Sequence, residues 1–207
     1  LPLNDYYVNK DDNLNSRYSF ENFVVGPFND LAHAAAQAVI KNPGAAYNPV
    51  LIYGNTGCGK THLIQAIGNK LKSVWPDKKV FYVTSEKFAL DYINSVQANR
   101  TIMFKEKYRK FDLLIMDDVQ FLSNKEKTQE ELFHLFNTMH DNNRQIIFSS
   151  DKHPNFIPNL EDRLKSRFAA GMIVDIQPPD RDSRAAIIKT KASRLQYPLN
   201  QELVDYL

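Results

Sequence analysis

The 207 residues include a single cysteine, Cys58, so an internal disulfide and a cysteine-built metal site are both excluded. A reducing compartment, the cytoplasm, fits that usage. No run of eighteen apolar residues occurs, which argues against a membrane-spanning helix. The opening residues, Leu1-Pro2-Leu3-Asn4-Asp5, lack the basic and apolar regions of a secretory signal. An initiating methionine is also missing, so a fragment of a longer protein is expected. Charge of one sign is lacking too: Lys and Arg exceed Asp and Glu by only two. Any nucleic-acid contact must therefore come from a local patch and not from overall basic character. Repeats and low-complexity tracts are absent. Glycine is scarce, with seven in all, yet three of them fall between positions 54 and 59.

Those three belong to Gly54-Asn55-Thr56-Gly57-Cys58-Gly59-Lys60-Thr61, which has the spacing G-x-x-x-x-G-K-[ST] of a phosphate-binding loop. Four apolar residues, 50–53, precede it. Leu63, Ile64, Ile67, Leu71 and Val74 follow at helical spacing, so the loop joins a strand to a helix. Such a loop wraps a phosphate with backbone N–H groups, and the helix N-terminus adds partial positive charge. Lys60 is expected to reach the β- and γ-phosphates, and the Thr61 hydroxyl to hold Mg²⁺. The bland alternative is a glycine-rich turn, but all eight positions and both flanking elements fit the phosphate loop.

The rest of the chain alternates between apolar runs and helical patterns. Residues 80–84, 113–116, 145–149 and 172–176 read as strands, while 27–41, 85–96, 100–110 and 126–142 read as helices. Strands apolar throughout, separated by helices, predict an α/β fold with a parallel sheet covered on both faces. Ser123-Asn124-Lys125-Glu126 reads as a capping box for the 126–142 helix. Residues 1–17 are polar and aperiodic, and read as a linker or arm. Residues 18–177 form the α/β core, and Pro178-Pro179 marks a boundary. Residues 178–207 begin a small helical unit, with helical stretches at 181–196 and 201–207. Tyr18, Phe20, Phe23, Val24 and Val25 cluster before Gly26-Pro27, where they could pack on an adenine ring or simply in the core.

Three further patterns carry chemistry. An apolar strand ends in Asp117-Asp118, which suits Asp117 to Mg²⁺ through water and Asp118 to orienting an attacking water. An acidic pair ending a strand is also a common turn, and the upstream loop favours the nucleotide reading. Phe148-Ser149-Ser150-Asp151 ends another strand on the same edge, so one of its polar residues could sense the γ-phosphate or the water. Arg163 and Arg167 are four apart on one helix face. Such arginines are usually solvated, yet a nucleotide site lacking an internal arginine often receives one from a neighbouring subunit.

Together these motifs resemble the AAA+ nucleotide-binding domain of the bacterial chromosomal replication initiator family, DnaA. The resemblance rests on Tyr18-Ser19-Phe20-Glu21-Asn22-Phe23-Val24-Val25-Gly26, Tyr47-Asn48-Pro49, the phosphate loop with His62-Leu63, and Ser85-Glu86-Lys87-Phe88. It rests further on Asp117-Asp118-Val119-Gln120-Phe121-Leu122, on 125–131 and on 160–168. It runs from about residue 15 to the end. The resemblance implies an AAA+ P-loop NTPase with a parallel five-stranded sheet flanked by helices, followed by the start of a small helical lid. It implies ATP or ADP with Mg²⁺, contacted by Gly54, Asn55, Thr56, Gly57, Cys58, Gly59, Lys60, Thr61 and His62, with Thr61 and Asp117 at the metal. By the same carry-over Asp117, Asp118, Asp151 and Arg167 are catalytic. Asp151 takes the first sensor position, Arg167 is the arginine finger, and Arg163 is a second intersubunit arginine. Ile93 and Lys127 fall at single-strand-binding positions. Asn55, Thr56 and Cys58 replace the family's usual small or apolar residues, and Ala170 stands where an aromatic is usual. The second sensor arginine and a duplex-reading domain lie beyond the chain.

The expected function is an ATP-switched initiator that multimerises on origin DNA and promotes strand opening, with slow hydrolysis as the off-switch. Implied partners are single-stranded origin DNA, other copies of the chain and, through a missing C-terminal domain, duplex DNA. There is room for a replicative helicase or its loader, and for acidic lipid. The alternative is an AAA+ helicase loader or initiator-inactivating regulator acting on a protein partner. Residues 85–110 discriminate: a paired-helix insertion carrying Ile93, Arg100, Lys105, Lys107 and Arg109 favours a single-strand channel. A metabolic kinase is disfavoured by the lack of a separate lid or acceptor site.

Overall fold

The structure, a computed structural model, describes residues 7–199. Its centre is a wholly parallel sheet of β1 (Val50–Gly54), β2 (Val80–Thr84), β3 (Leu113–Asp117), β4 (Gln145–Ser150) and β5 (Met172–Ile176), in the order β2-β3-β4-β1-β5. Helices α1 (Asp30–Lys41), α2 (Lys60–Val74), α3 (Ser85–Gln97), α4 (Thr101–Arg109), α5 (Glu126–Asp141), α6 (Asp162–Ala169) and α7 (Arg181–Arg194) alternate with the strands. From β1 the chain crosses to the far edge at β2, returns through β3 and β4, and places β5 on the other side of β1. All five carboxyl ends therefore meet on one edge, where a doubly wound sheet binds its ligand.

Strand alternation divides the core in two. Val50 and Ile52 of β1 face one layer with Leu63, Ile64 and Ile67 of α2 and Ala32 and Val39 of α1. Leu51 faces the other layer with Phe88, Phe104, Leu132 and Phe136. Because both faces are covered, the strands read as continuous apolar runs, the pattern that predicted the parallel sheet.

Three expectations change. The first helix begins at Asp30 and not at 27, since Asn29 is its cap residue. The capping box at Ser123 does not form: Ser123 Oγ donates to the Pro158 carbonyl at 2.7 Å, and Lys125 precedes α5 without a side-chain cap. Residues 7–17, expected to be a linker or arm, are seated against the core as a strap. Leu14 is 1% exposed, Asp12 pairs with Lys72, and Asn69 Nδ2 donates to the Asn15 and Tyr18 carbonyls. The expected helix at 201–207 lies outside the described residues.

Candidate functional site

The loop after β1 is shaped by two glycines. A Cβ on Gly54 would lie 2.3 Å from the Ile176 carbonyl oxygen, so only glycine lets β1 close on β5 here. Gly59 caps α2 at φ +96, in the left-handed region that side-chain-bearing residues avoid. The backbone then turns directly into α2, whose first N–H groups have no intrahelical acceptor. Lys60 is buried, and its Nζ donates to the Gly54 and Asn55 carbonyls at 2.8 and 3.1 Å. The ammonium thus sits within the loop that an anion would enter.

Facing the loop, Asp117 ends β3 at 2% exposure. Three hydroxyls converge on its carboxylate: Thr61 Oγ1 and Tyr82 Oη donate to Oδ2 at 2.8 and 2.7 Å, and Ser149 Oγ donates to Oδ1. Among the described residues no cluster of three or more His, Cys, Asp or Glu side chains is gathered for a metal. The Thr61 hydroxyl and Asp117 carboxylate are hard oxygen donors, which fits Mg²⁺ shared with phosphates in place of an all-protein cage.

Asp118 differs from its neighbour. Its backbone is left-handed, at φ 59 and ψ 52, and its N–H donates to Ser149 Oγ at 2.9 Å. Burial pushes its carboxyl above the usual range, and Asp117 and Asp151 push the same way, against Gln120 and Lys60. Gln120 links the two acids: its Nε2 donates to Asp118 Oδ1 at 3.0 Å, and its Oε1 accepts from the Asp151 N–H at 3.2 Å. Asp151 Oδ1 is buried with no hydrogen-bond partner. Asp117 is therefore a carboxylate locked by three hydroxyls, suited to metal holding, while burial raises the Asp118 carboxyl above its usual range, which suits proton acceptance. Ser149 is committed to both Asp117 and Asp118, whereas Asp151 keeps Oδ1 without a hydrogen bond and pairs through Oδ2 with Lys152 at 3.6 Å.

A cleft of about 470 Å³ flanks the loop, bounded by Gly54, Asn55, Asp151, Asp175 and Ile176. It opens beside Lys60 and not over it. On the opposite flank Tyr18 and Phe23 lie 5.2 and 5.3 Å from the His62 ring, centroid to centroid. His62 Nε2 is 2.9 Å from the Ser19 carbonyl oxygen, and burial holds its imidazole below the usual range. Phe20 and Phe23 also contact His33 of α1. The aromatic cluster thus packs on both helices next to the loop.

The remaining predicted residues lie apart from this edge. The Arg163 and Arg167 guanidiniums sit 5.1 and 5.5 Å from the Phe133 ring centroid, and Arg163 also pairs with Glu161. Their partners are Phe133 of α5 and Glu161, the cap residue of α6, and not residues of the loop site. Ile93 is 45% exposed on α3, and Lys127 is exposed at the start of α5. The paired helices α3 and α4 form as expected, but Lys105 is tied to Glu131 at 3.4 Å and Lys107 to Asp91 at 2.6 Å.

The family described as the bacterial DnaA ATPase domain matches residues 14–175. The chain belongs to the DnaA family. The chromosomal replication initiator protein DnaA of Levilactobacillus brevis is 51% identical over 198 residues, covering 96% of this chain and 44% of that protein. The chain thus spans less than half the length of the curated DnaA relatives it matches. Domain III of the Thermotoga maritima replication initiation protein DnaA superposes with a TM-score of 0.91 at 46% identity, covering 93% of this chain and 80% of that one. A replication initiator DnaA bound to AMPPCP and single-stranded DNA superposes at 0.88 with 43% identity, covering 95% and 60%. The fold is the five-stranded AAA+ domain of DnaA. A DnaC helicase loader also superposes, at 0.69 with 11% identity, which shows a shared fold alone.

Three residues of the site escaped the sequence reading: Tyr82, Gln120 and Phe133. Tyr82 had one local signal, a hydroxyl within the apolar run 80–83. Gln120 and Phe133 had none: Gln120 matters because it joins Asp118 to Asp151, 31 residues on, and the arginines over Phe133 are 30 residues or more away.

Proposed function

We propose that this chain is the ATP-binding domain of a replication initiator, which assembles in its ATP form on origin DNA and promotes strand opening. The observation that carries the reading is the junction of loop, Lys60, Thr61 and Asp117 on one sheet edge. Gly54 to Thr61 would cradle the phosphates with backbone N–H groups, Lys60 would move from the loop carbonyls to the β- and γ-phosphates, and Tyr18, Phe23 and His62 would flank the base. Thr61 and Asp117 would hold Mg²⁺, which neutralises phosphate charge when bound. Asp118 would orient and deprotonate water, with Asp151 sensing the γ-phosphate. The shorter reach of Asp118 compared with a glutamate favours slow hydrolysis, as an off-switch needs. Arg167 and Arg163 would approach a neighbour's nucleotide, and Ile93 and Lys127 would contact single-stranded DNA. After Pro178-Pro179, α7 would begin the helical lid, and the setting would be cytoplasmic.

The relatives named above support this reading over a helicase loader, since DnaA-like identity spans the chain while loader likeness is confined to the fold. Calorimetric titration with ATP and ADP tests it. Lys60→Ala should keep the fold and lose nucleotide binding, because one ammonium at the phosphates is removed while the apolar core is untouched. ATP affinity equal to the parent's in this variant would overturn the assignment.

A further inference from the structure

We propose that Tyr82 is a positioning residue for Asp117, and that the strap at residues 12–15 holds Tyr82 in place. This rests on the nucleotide reading above. A carboxylate at the end of a strand can rotate about its χ2 bond, and its usefulness to a metal depends on which lone pairs face outward. Here Ser149 occupies Oδ1, while Thr61 and Tyr82 both donate to Oδ2. Thr61 can keep its proton on Asp117 and still turn an oxygen lone pair toward a metal. Tyr82 has no such second duty. Its hydroxyl reaches Asp117 from a different strand, two residues before Thr84, the register partner of Asp117. Outer partners of this kind set the orientation of metal-binding groups.

β2 is an edge strand of the sheet, and the strap supplies pairing that its free side lacks. The Tyr82 N–H donates to the Asp12 carbonyl at 2.9 Å, and Asn13 Nδ2 donates to the Tyr82 carbonyl at 3.1 Å. The strap is tied to α2 as well, where Gln65 Oε1 accepts from the Asn15 N–H at 2.8 Å. Leu14 fixes the strap by filling the hollow over Gly68, where a Cβ would come within 2.8 Å of Leu14 and 2.9 Å of Ile115. Strap, Tyr82 and Asp117 thus form one connected chain from the N-terminal segment to the metal position. A tyrosine needed only for packing would not require the hydroxyl at its Asp117 end.

The test compares the parent with Tyr82→Phe, which keeps the ring, and Asn13→Ala, which loosens the strap. ADP affinity is measured in EDTA, and Mn²⁺ is titrated into the ADP-loaded protein with the free ion followed by electron paramagnetic resonance. In Tyr82→Phe the Mn²⁺ affinity should fall about tenfold or more, with ADP affinity in EDTA at the parent's value. Asn13→Ala should shift Mn²⁺ affinity in the same direction by less. Mn²⁺ binding as tight as the parent's in Tyr82→Phe would overturn the proposal, as would an equal loss of ADP affinity in EDTA, which marks a merely structural role. Should circular dichroism find Tyr82→Phe unfolded, Asn13→Ala decides by the same two readouts. A parent that binds no ADP fails the nucleotide reading itself, a result seen before any variant is made, and takes this proposal with it.

Discussion

Asp118 concentrates the conflict between stability and chemistry at the scale of one residue. Its backbone is in the left-handed region, which Asn tolerates better than most residues, and burial favours its neutral form. A carboxyl whose folded pKa is raised holds its proton more tightly folded than unfolded. Its contribution to stability is therefore complete below the unfolded pKa and is lost as pH rises through the folded one, so at neutral pH the ionised Asp118 is a cost. Asp118→Asn keeps an acceptor for Gln120 and carries no charge. It should raise the Tm by a few degrees at most, on a scale of about 2–4 °C per kcal/mol for a chain of this size. ATP turnover should fall about a hundredfold with the loss of the base, while nucleotide affinity stays at the parent's value. Parental turnover in this variant, measured by phosphate release, would remove Asp118 from the reaction. A lower Tm would contradict the account of its environment.

At the scale of elements, α3 and α4 behave as a unit with one dry face and one open face. Phe88, Tyr92, Phe104 and Tyr108 interlock with ring centroids 4.9–5.5 Å apart, which zips the two helices together. The aromatic zipper takes only part of the apolar stripe of these helices. Leu90, Ile93, Val96, Ile102 and Met103 are left exposed, an apolar surface of the kind that marks an interaction site. Lys105 and Lys107 are paired within the protein, whereas Lys127, at the start of α5, is exposed. Lys127→Ala should weaken ATP-dependent single-strand binding uniformly across sequences and reduce the salt slope by about one. Ile93→Ser should weaken it with no change in slope, since no charge is lost. Fluorescence anisotropy at several salt concentrations separates the two, and an unchanged slope with Lys127→Ala would end its phosphate-contact role. Most elements were legible because a parallel sheet writes itself as apolar runs and its helices as stripes. The strap was not, because it has one buried apolar residue, Leu14, and the bonds that seat it join Asn15 to residues 50 or more positions away, which leaves no period. The cap at Ser123 failed for the same kind of reason: a distant carbonyl, that of Pro158, claimed its hydroxyl.

For the whole molecule, the question is whether nucleotide state can be read by another copy. The loop motif and the Asp117 strand end were legible because each is local, whereas Phe133 became relevant only when α5 and α6 packed together. It now bears on the two arginines together. Stacking on one ring limits the rotamers of Arg163 and Arg167, so less freedom is lost when either guanidinium meets an anion. Both belong to α6, and their bonds within the chain run to Glu161 and the α5 rings, away from Lys60 and Asp117. An arginine that does not serve its own loop can serve a neighbour's. Because ADP lacks the γ-phosphate, the contact would favour assembly only with ATP, which is the differential affinity any such switch requires. Each charge-assisted bond to the γ-phosphate would contribute about 1.5–3 kcal/mol, repeated at every junction of a multimer. Arg167→Ala should therefore bind ATP as a monomer like the parent, yet fail to form ATP-dependent multimers on single-stranded DNA. Sedimentation with ATP and with ADP makes the comparison directly. If the variant assembles with ATP as the parent does, Arg167 is a surface residue stacked on Phe133 and nothing more.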